Sequence, residues 1–560
     1  MEVFERMAWY GFYAVSSLYI TSPASEGGLG FSSVQRGILQ GVVPFLLYLF
    51  PVITGALADR YGYKRAFLVA FSIMTPAYLL MGQFKSFWLF FAAFLLVALG
   101  ASVFKPVVVG TVGRTTDETN RGLGFGVFYT IVNIGGFFGP IVAGAVRAIS
   151  WDMVFLMSAF WIALNFIPTL FMYQEPTKSD GEGEKRSLLQ VLAGAQEILG
   201  NGRFALVVIP ILLMVMLSGG EWVSWGITLS FSLGWLLLNW GWNAVLPKED
   251  AGRSWLAQRA RIGNWPFVLY LLILSGFWAS FNQIFITMPE FIRDFVDTSD
   301  LVSMVSVFGT GTVDFLASVK VDSLATWLGD AVTQHGAIAL GDQSRELFFQ
   351  AVHFKVRVPE AELVSEMSRL AAMGTPSAEA VHAVAERWAG SYRQVNPEYI
   401  INLDAGAIIV FQILVSTVID RWKPFPVLVV GTLVAGAGIA MGSVALTGVL
   451  VVVAIVVFAF GEMIASPKSQ EYVARIAPSD KVALFMGYYF VSIALGNLFG
   501  GILSGWGYQV LAKDMNMPGV MWLIFGGIGF LTAAALLLFN TRVVPLLEAQ
   551  HAANNDGSAE

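Results

Sequence analysis

The sequence predicts an all-α polytopic membrane protein built from two homologous six-helix halves, with an extra two-helix hairpin between them and a small helical ectodomain. Hydropathy, a repeat at a fixed offset and the charge asymmetry of short loops carry that prediction. The 560 residues are 56% hydrophobic and only 13% charged, with 44 Phe, 57 Gly and a mean hydropathy of +0.67. Apolar stretches of ~20 residues, each long enough to cross a bilayer, recur along the chain and give about 14 spanning helices. No large soluble body is left over.

Taken in order, spanning helices are expected near 2–21, 34–57, 65–83, 87–107, 122–147 and 152–173. These make an N-terminal six-helix bundle over 1–173. A linker, 174–266, contains the extra hairpin at 204–219 and 222–246. The seventh core helix is placed at 267–291, an insert at 292–396, and the rest of the C-terminal bundle at 397–545. Its helices are expected near 399–419, 425–446, 448–466, 481–505 and 518–540, with a disordered tail at 546–560. The first helix carries acids where a cleavable signal would be basic and apolar, so no signal peptide is expected. The chain has no cysteine, which rules out disulfides and thiolate metal sites. No metal site, cofactor or nucleic-acid partner is expected.

The halves repeat. GALADRYGYKR at 55–65 is echoed by STVIDRWKPFP at 416–426, and FKPVVVGTVGR at 104–114 by SPKSQEYVAR at 466–475. Asp59 and Asp420, Pro106 and Pro467, and Arg114 and Arg475 are each 361 positions apart. A constant offset over such a stretch marks a parallel internal repeat.

Basic residues gather in one set of short loops: Arg60, Lys64 and Arg65; Arg114 and Arg121; Lys178, Lys185 and Arg186; Lys248, Arg253, Arg259 and Arg261; Arg421 and Lys423; Lys468, Arg475 and Lys481. The opposite loops hold little more than Lys85, Arg147 and Lys513. The positive-inside rule puts the first set and both termini in the cytoplasm, and 292–396 outside it. A cell (inner) membrane location follows. Within the insert, Leu363, Met367 and Leu370, then Val381, Val384 and Trp388, recur at helical spacing, and Thr375 with Pro376 offers a helix start. These stripes are expected to be the core of the insert.

Three charges sit in the first helix. Glu2, Glu5 and Arg6 share one side of it by spacing, and charges facing hydrocarbon are costly, so they should line a bundle interior. Read alone, the cluster fits either a proton-exchanging site or an interfacial cap that snorkels to water. The DR turns, Asp59 with Arg60 and Asp420 with Arg421, resemble the cytoplasmic signature loop of the major facilitator superfamily. There the acid would cap or pair at a neighbouring helix end and hold a gate.

A closer resemblance rests on an ordered set of motifs. E-x-x-E-R-M-A-W-Y-G at 2–11 is similar to the ExxERFxYYG signature of the proton-dependent oligopeptide transporter (POT) family. The family's lysine–proline pair is present as Lys105 and Pro106, and its fifth-helix pattern as FYTIVNIGG at 128–136. FWASFNQ at 277–283, QVNPEYI at 394–400 and GEMIASPKSQEYVARIAP at 461–478 resemble its seventh-, eighth- and tenth-helix motifs. The extra hairpin is also a feature of bacterial members.

The resemblance implies a proton-coupled symporter that imports short peptides, or peptide-like small zwitterions, by alternating access, most simply as a monomer. It assigns proton coupling to Glu2, Glu5, Arg6 and Lys105. Lys105 would be freed to meet a substrate carboxylate when its acid is protonated. Glu462 would meet the peptide's amino terminus. Asn133 and Asn396 would bond its backbone, and Tyr10 and Tyr48 would offer hydroxyls. Without the resemblance, Lys105 also reads as a snorkelling helix-end lysine and the tyrosines as interfacial packing.

The chain also departs from the pattern. Tyr13 stands where a second first-helix arginine is usual, Trp9 replaces the first tyrosine of the pair, Val107 follows Lys–Pro, and Asn282 replaces a seventh-helix acid. Asp404, eight residues beyond Asn396, is the candidate substitute acid. Two other functions compete: a proton antiporter exporting drugs or metabolites, and a receptor or scaffold working through its ectodomain. The embedded charges argue against both. An enzyme is not expected, since no HExxH or GxSxG with partners lies in the spanning segments.

Overall fold

The computed structural model describes residues 1–116, 121–175, 199–247, 254–374, 376–477 and 482–545. The expected linker basics Lys178, Lys185, Arg186, Lys248 and Arg253, together with Lys481, Thr375 and the tail 546–560, lie outside the described residues. Among those described, every regular element is helical.

Among the described residues, eleven helices are long and apolar enough to cross a membrane, or twelve if the bent pair Ser33–Leu49 and Ile53–Tyr61 counts as one. Two further expected spans are present as the helices Glu2–Thr21 and Trp225–Val245 but are not among those eleven. The reason is compositional: three charges open one, and Asn239, Asn243 and several tryptophans occupy the other. The second core helix bends by 42° where Pro51 starts its second segment, because proline removes a backbone donor and clashes with the preceding turn.

Local chemistry fixes the helix starts. Ser32 accepts from Gln35 N at 3.1 Å while the Gln35 side chain accepts from Ser32 N at 3.0 Å, a reciprocal cap that begins the second core helix. Asn264 caps Phe267 N at 3.2 Å, with Pro266 in the first turn of the seventh. Pro397, Pro424 and Pro518 stand in the first turn of the eighth, ninth and twelfth. The seventh helix runs as Trp265–Phe281, Gln283–Ile286 and Met288–Phe295, so it reaches past the expected end at 291. The hairpin helices are Gly202–Gly219 and Trp225–Val245.

The insert is helical and has its own core. Leu324, Leu328, Leu363, Met367, Leu370, Val381, Val384 and Trp388 are buried together. Its last helix, Ala378–Ser391, starts after Ser377, which accepts from Ala380 N at 3.2 Å, one residue beyond the expected Pro376. The insert lies at the end of the bundle that carries the 22–32 loop. Asp297 N donates to Leu446 O at 3.0 Å, and Lys320 Nζ donates to Ile149 O at 2.8 Å. The signature turns around Asp59 and Asp420 lie at the opposite end.

Candidate functional site

Glu2, Glu5 and Arg6 are buried where the first helix packs on the fifth and sixth. Close approach there is made by Gly135, where an added Cβ would strike the backbone carbonyl of Val3 at 2.8 Å. Arg6 Nε lies 3.2 Å from Glu2 Oε1, and the guanidinium also pairs with the Glu5 carboxylate. Glu2 Oε2 and Glu5 Oε1 are buried without a hydrogen-bond partner. The cluster is therefore an interior site, and the reading of it as an interfacial cap is set aside.

Arg6 extends over the Tyr10 ring, 5.5 Å from its centroid. Lys105 Nζ lies 4.0 Å from the centroid of the Tyr48 ring, and Tyr48 stacks at 6.2 Å on Phe490 of the other half. Lys105 makes no ion pair within 4.0 Å among the described residues, although Glu2, Glu5 and Arg6 are within electrostatic reach. The expected lysine–carboxylate contact is thus not made here; the ammonium is held on an aromatic face instead, at an energy of about 0.5–2 kcal/mol. Pro106 follows it inside the helix Phe87–Thr115 and Pro467 occupies the equivalent place in Gly448–Ile476, each deleting one helical hydrogen bond.

Across the site stands Glu462 of the tenth helix, within electrostatic reach of Tyr10. Its carboxyl group neighbours that of Asp404, which is 3% exposed on the eighth helix. Glu462 Oε2 and Asp404 Oδ1 have no partner of their own. Asn282 is buried at the break in the seventh helix with Nδ2 unpartnered. Asn396 is 1% exposed with both amide atoms unpartnered, and its backbone N–H donates to Leu316 O at the base of the insert. Eight residues of helix, about 12 Å, separate it from Asp404, so it sits towards the insert end rather than beside Glu462. Asn133 is half-buried on the fifth helix.

The signature residues pair within their own halves. Asp59 accepts from Arg114 Nη2 at 2.9 Å and from the Tyr63 hydroxyl at 2.9 Å. Asp420 is 3.9 Å from Lys468, and Arg60 lies over Tyr61 at 5.6 Å. Glu175 accepts from Tyr63 N and Lys64 N and caps the third helix at its positive end.

At the insert end the halves close on one another. Arg36 Nε lies 2.5 Å from Glu290 Oε1, and Arg36 Nη1 also donates to Ile286 O at 2.6 Å and Ser504 Oγ at 2.8 Å. Arg147 Nη1 lies 2.8 Å from Glu398 Oε2, and Asn402 Nδ2 donates to Phe137 O at 2.9 Å. Beside the Arg36 pair the second and eleventh helices meet backbone to backbone; a Cβ on Gly501 would run into the Cα of Gly41. Sequence reading did not single out Arg36, Glu290 or Glu398 and treated Arg147 as a loop charge. Opposite charges at the same end of helices from different halves were the signal available.

Two halves repeated in sequence, a buried charged site between them and a seal at one end define a multi-pass membrane carrier. Residues 3–330 and 398–557 match the Major Facilitator Superfamily, and the chain belongs to that superfamily. Curated relatives bear out the oligopeptide-transporter resemblance. The di-/tripeptide transporter of Lactococcus lactis subsp. lactis is 28% identical over 178 residues, 31% of this chain and 35% of the relative. The peptide transporter YePEPT of Yersinia enterocolitica is 25% identical over 325 residues, 53% of this chain and 59% of the relative. The matched length is thus about a third of the first relative and under two thirds of the second. Among solved structures, a POT family transporter in complex with 5-aminolevulinic acid superposes with a TM-score of 0.61 at 16% identity, covering 97% of this chain and 95% of that one. A peptide transporter POT in complex with sulfate gives a TM-score of 0.57 at 18% identity over 97% and 93%. These superpositions establish the shared fold.

Proposed function

We propose that the chain is a proton-coupled symporter that imports di- and tripeptides, or other small zwitterions, by alternating access between its two halves. The observation that carries this reading is the distribution of charge around one interior site. Arg6 and Lys105 lie on the first half, and the Asp404–Glu462 pair on the second. A short zwitterion fits opposed charges because its termini are fixed while its side chains vary. The proton is carried by Glu2 and Glu5: each is paired with Arg6 through one oxygen and leaves the other unpartnered.

In this reading the signature end and both termini face the cytoplasm, as the positive-inside rule directs, and the insert faces the acidic side. The structure then represents the state closed to the outside. Asp404 stands in for the acid missing at Asn282 and supplies a second carboxyl on the side that receives the substrate's amino terminus. The names of the curated peptide-transporting relatives support the substrate class. Uptake of a dipeptide panel by proteoliposomes under an imposed inward proton gradient tests the proposal. Gradient-dependent accumulation supports it, and equal uptake with and without the gradient contradicts it.

A further inference from the structure

The insert touches both halves, and unequally. To the second half it is bound through backbone and caps. Asp297 exchanges hydrogen bonds with Leu446 O (3.0 Å) and Gly448 N (2.9 Å). The Asp300 carboxylate caps the tenth helix, accepting from Gly448 N at 3.1 Å and Val449 N at 2.9 Å, where the helix dipole favours a negative charge. Phe315 stacks at 5.2 Å on Tyr399, next to Glu398. To the first half it reaches, among the described residues, through Lys320, whose Nζ donates to Ile149 O at 2.8 Å in the turn that follows Arg147.

The two attachments straddle the buried Arg147–Glu398 pair, which itself joins the halves. Within electrostatic reach of that pair lies Lys355, held at φ +63° with Nζ 3.3 Å from Ser318 Oγ. Burial lowers Lys355 to about 7; Arg147 and Lys320 act in the same direction, and Glu398 and Glu26 oppose them. The insert thus places two lysines over an ion pair that must separate whenever the halves part at this end.

We infer that the insert is a latch on the gate: it travels with the second half, grips the first half through Lys320, and roofs the Arg147–Glu398 pair. Each opening of this end has to break the Lys320–Ile149 contact and expose that pair, so the insert biases the carrier towards the state closed at its own end. This rests on the alternating-access reading above.

The chain's lack of cysteine makes the test direct. The double variant Lys320→Cys/Ile149→Cys is joined by a short reducible bis-thiosulfonate linker, since the lysine's reach is too long for a disulfide. As a control, Asp297→Cys/Thr447→Cys is joined across a bridge within the second half. The latch predicts that the first link stops dipeptide uptake until it is reduced, and that the second leaves uptake unchanged. Full uptake with Lys320 and Ile149 joined overturns it. A second arm needs no substrate. Spin labels at Ser25→Cys and Val444→Cys, exposed on opposite halves, report opening of this end. Adding Lys320→Ala should raise the long-distance population several-fold, and an unchanged distribution also overturns the latch. Should the parent protein take up no peptide, the symporter reading fails on that result and the spin-label arm alone decides the latch.

Discussion

Arg36 of the second helix and Glu290 of the seventh form an ion pair 2.5 Å long, fully buried, that joins the two halves at the insert end. A buried pair of this kind adds little net stability over apolar residues of the same size, but leaving one charge without its partner costs about 3–5 kcal/mol. In the proposed alternating-access cycle this pair is made when the insert end closes and broken when it opens. Glu290→Gln should destabilise the closed state by about 3–5 kcal/mol in thermal or denaturant melts. Arg36→Met/Glu290→Met should recover most of that loss. If the double variant is no more stable than the single, the pair is a structural prop rather than a gate.

The glycine contact beside it makes a steric prediction. Gly501 meets Gly41 with no room for a Cβ, whereas a Cβ on Gly41 would come to 3.2 Å of Gly501 Cα. Gly501→Val should hold the insert end open and abolish uptake, and Gly41→Ala should slow transport only partly. Accessibility of a single cysteine at Ser17, buried under the seal, reports the outcome: fast labelling in Gly501→Val is expected and slow labelling contradicts it.

Lys105 rests on the face of Tyr48, not on a carboxylate. Tyr48→Phe keeps the ring and should change substrate KM less than threefold. Tyr48→Leu removes about 0.5–2 kcal/mol of cation–π attraction and should raise KM by up to about 30-fold. Equal effects of the two changes would show that the hydroxyl, not the ring, matters.

Asp404 is buried beside Glu462, and Asp404→Asn removes one titratable group there while keeping a polar side chain of the same size. The proton-to-peptide ratio, read from the reversal potential of uptake, should fall in Asp404→Asn. Glu462→Gln should weaken uptake of peptides with a free amino terminus at least tenfold more than of amino-blocked analogues. A matched loss for both classes would make Glu462 structural.

Much of this architecture was legible in the sequence because hydrophobic length and a fixed repeat are local signals. The 361-residue offset located both signature turns, and the motif order located Glu5, Lys105 and Glu462. What stayed hidden was pairing across the molecule. Arg36 and Glu290 each look like an isolated charge in an apolar stretch, and only the fold brings them together. Lys105 was read towards its carboxylate, but the second helix delivers a tyrosine face to it first. The insert's core stripes were readable at helical spacing, whereas its docking through Lys320 and Asp300 depends on loops that carry no periodic signal.

Proton coupling through the first-helix acids stands or falls on Glu5→Gln. Glu5 is wholly buried, paired with Arg6 and left with one unpartnered oxygen, so a neutral mimic fits the site but cannot cycle a proton. In proteoliposomes the variant should lose all gradient-driven dipeptide accumulation while retaining counterflow exchange. Accumulation at the level of the parent protein would contradict the account.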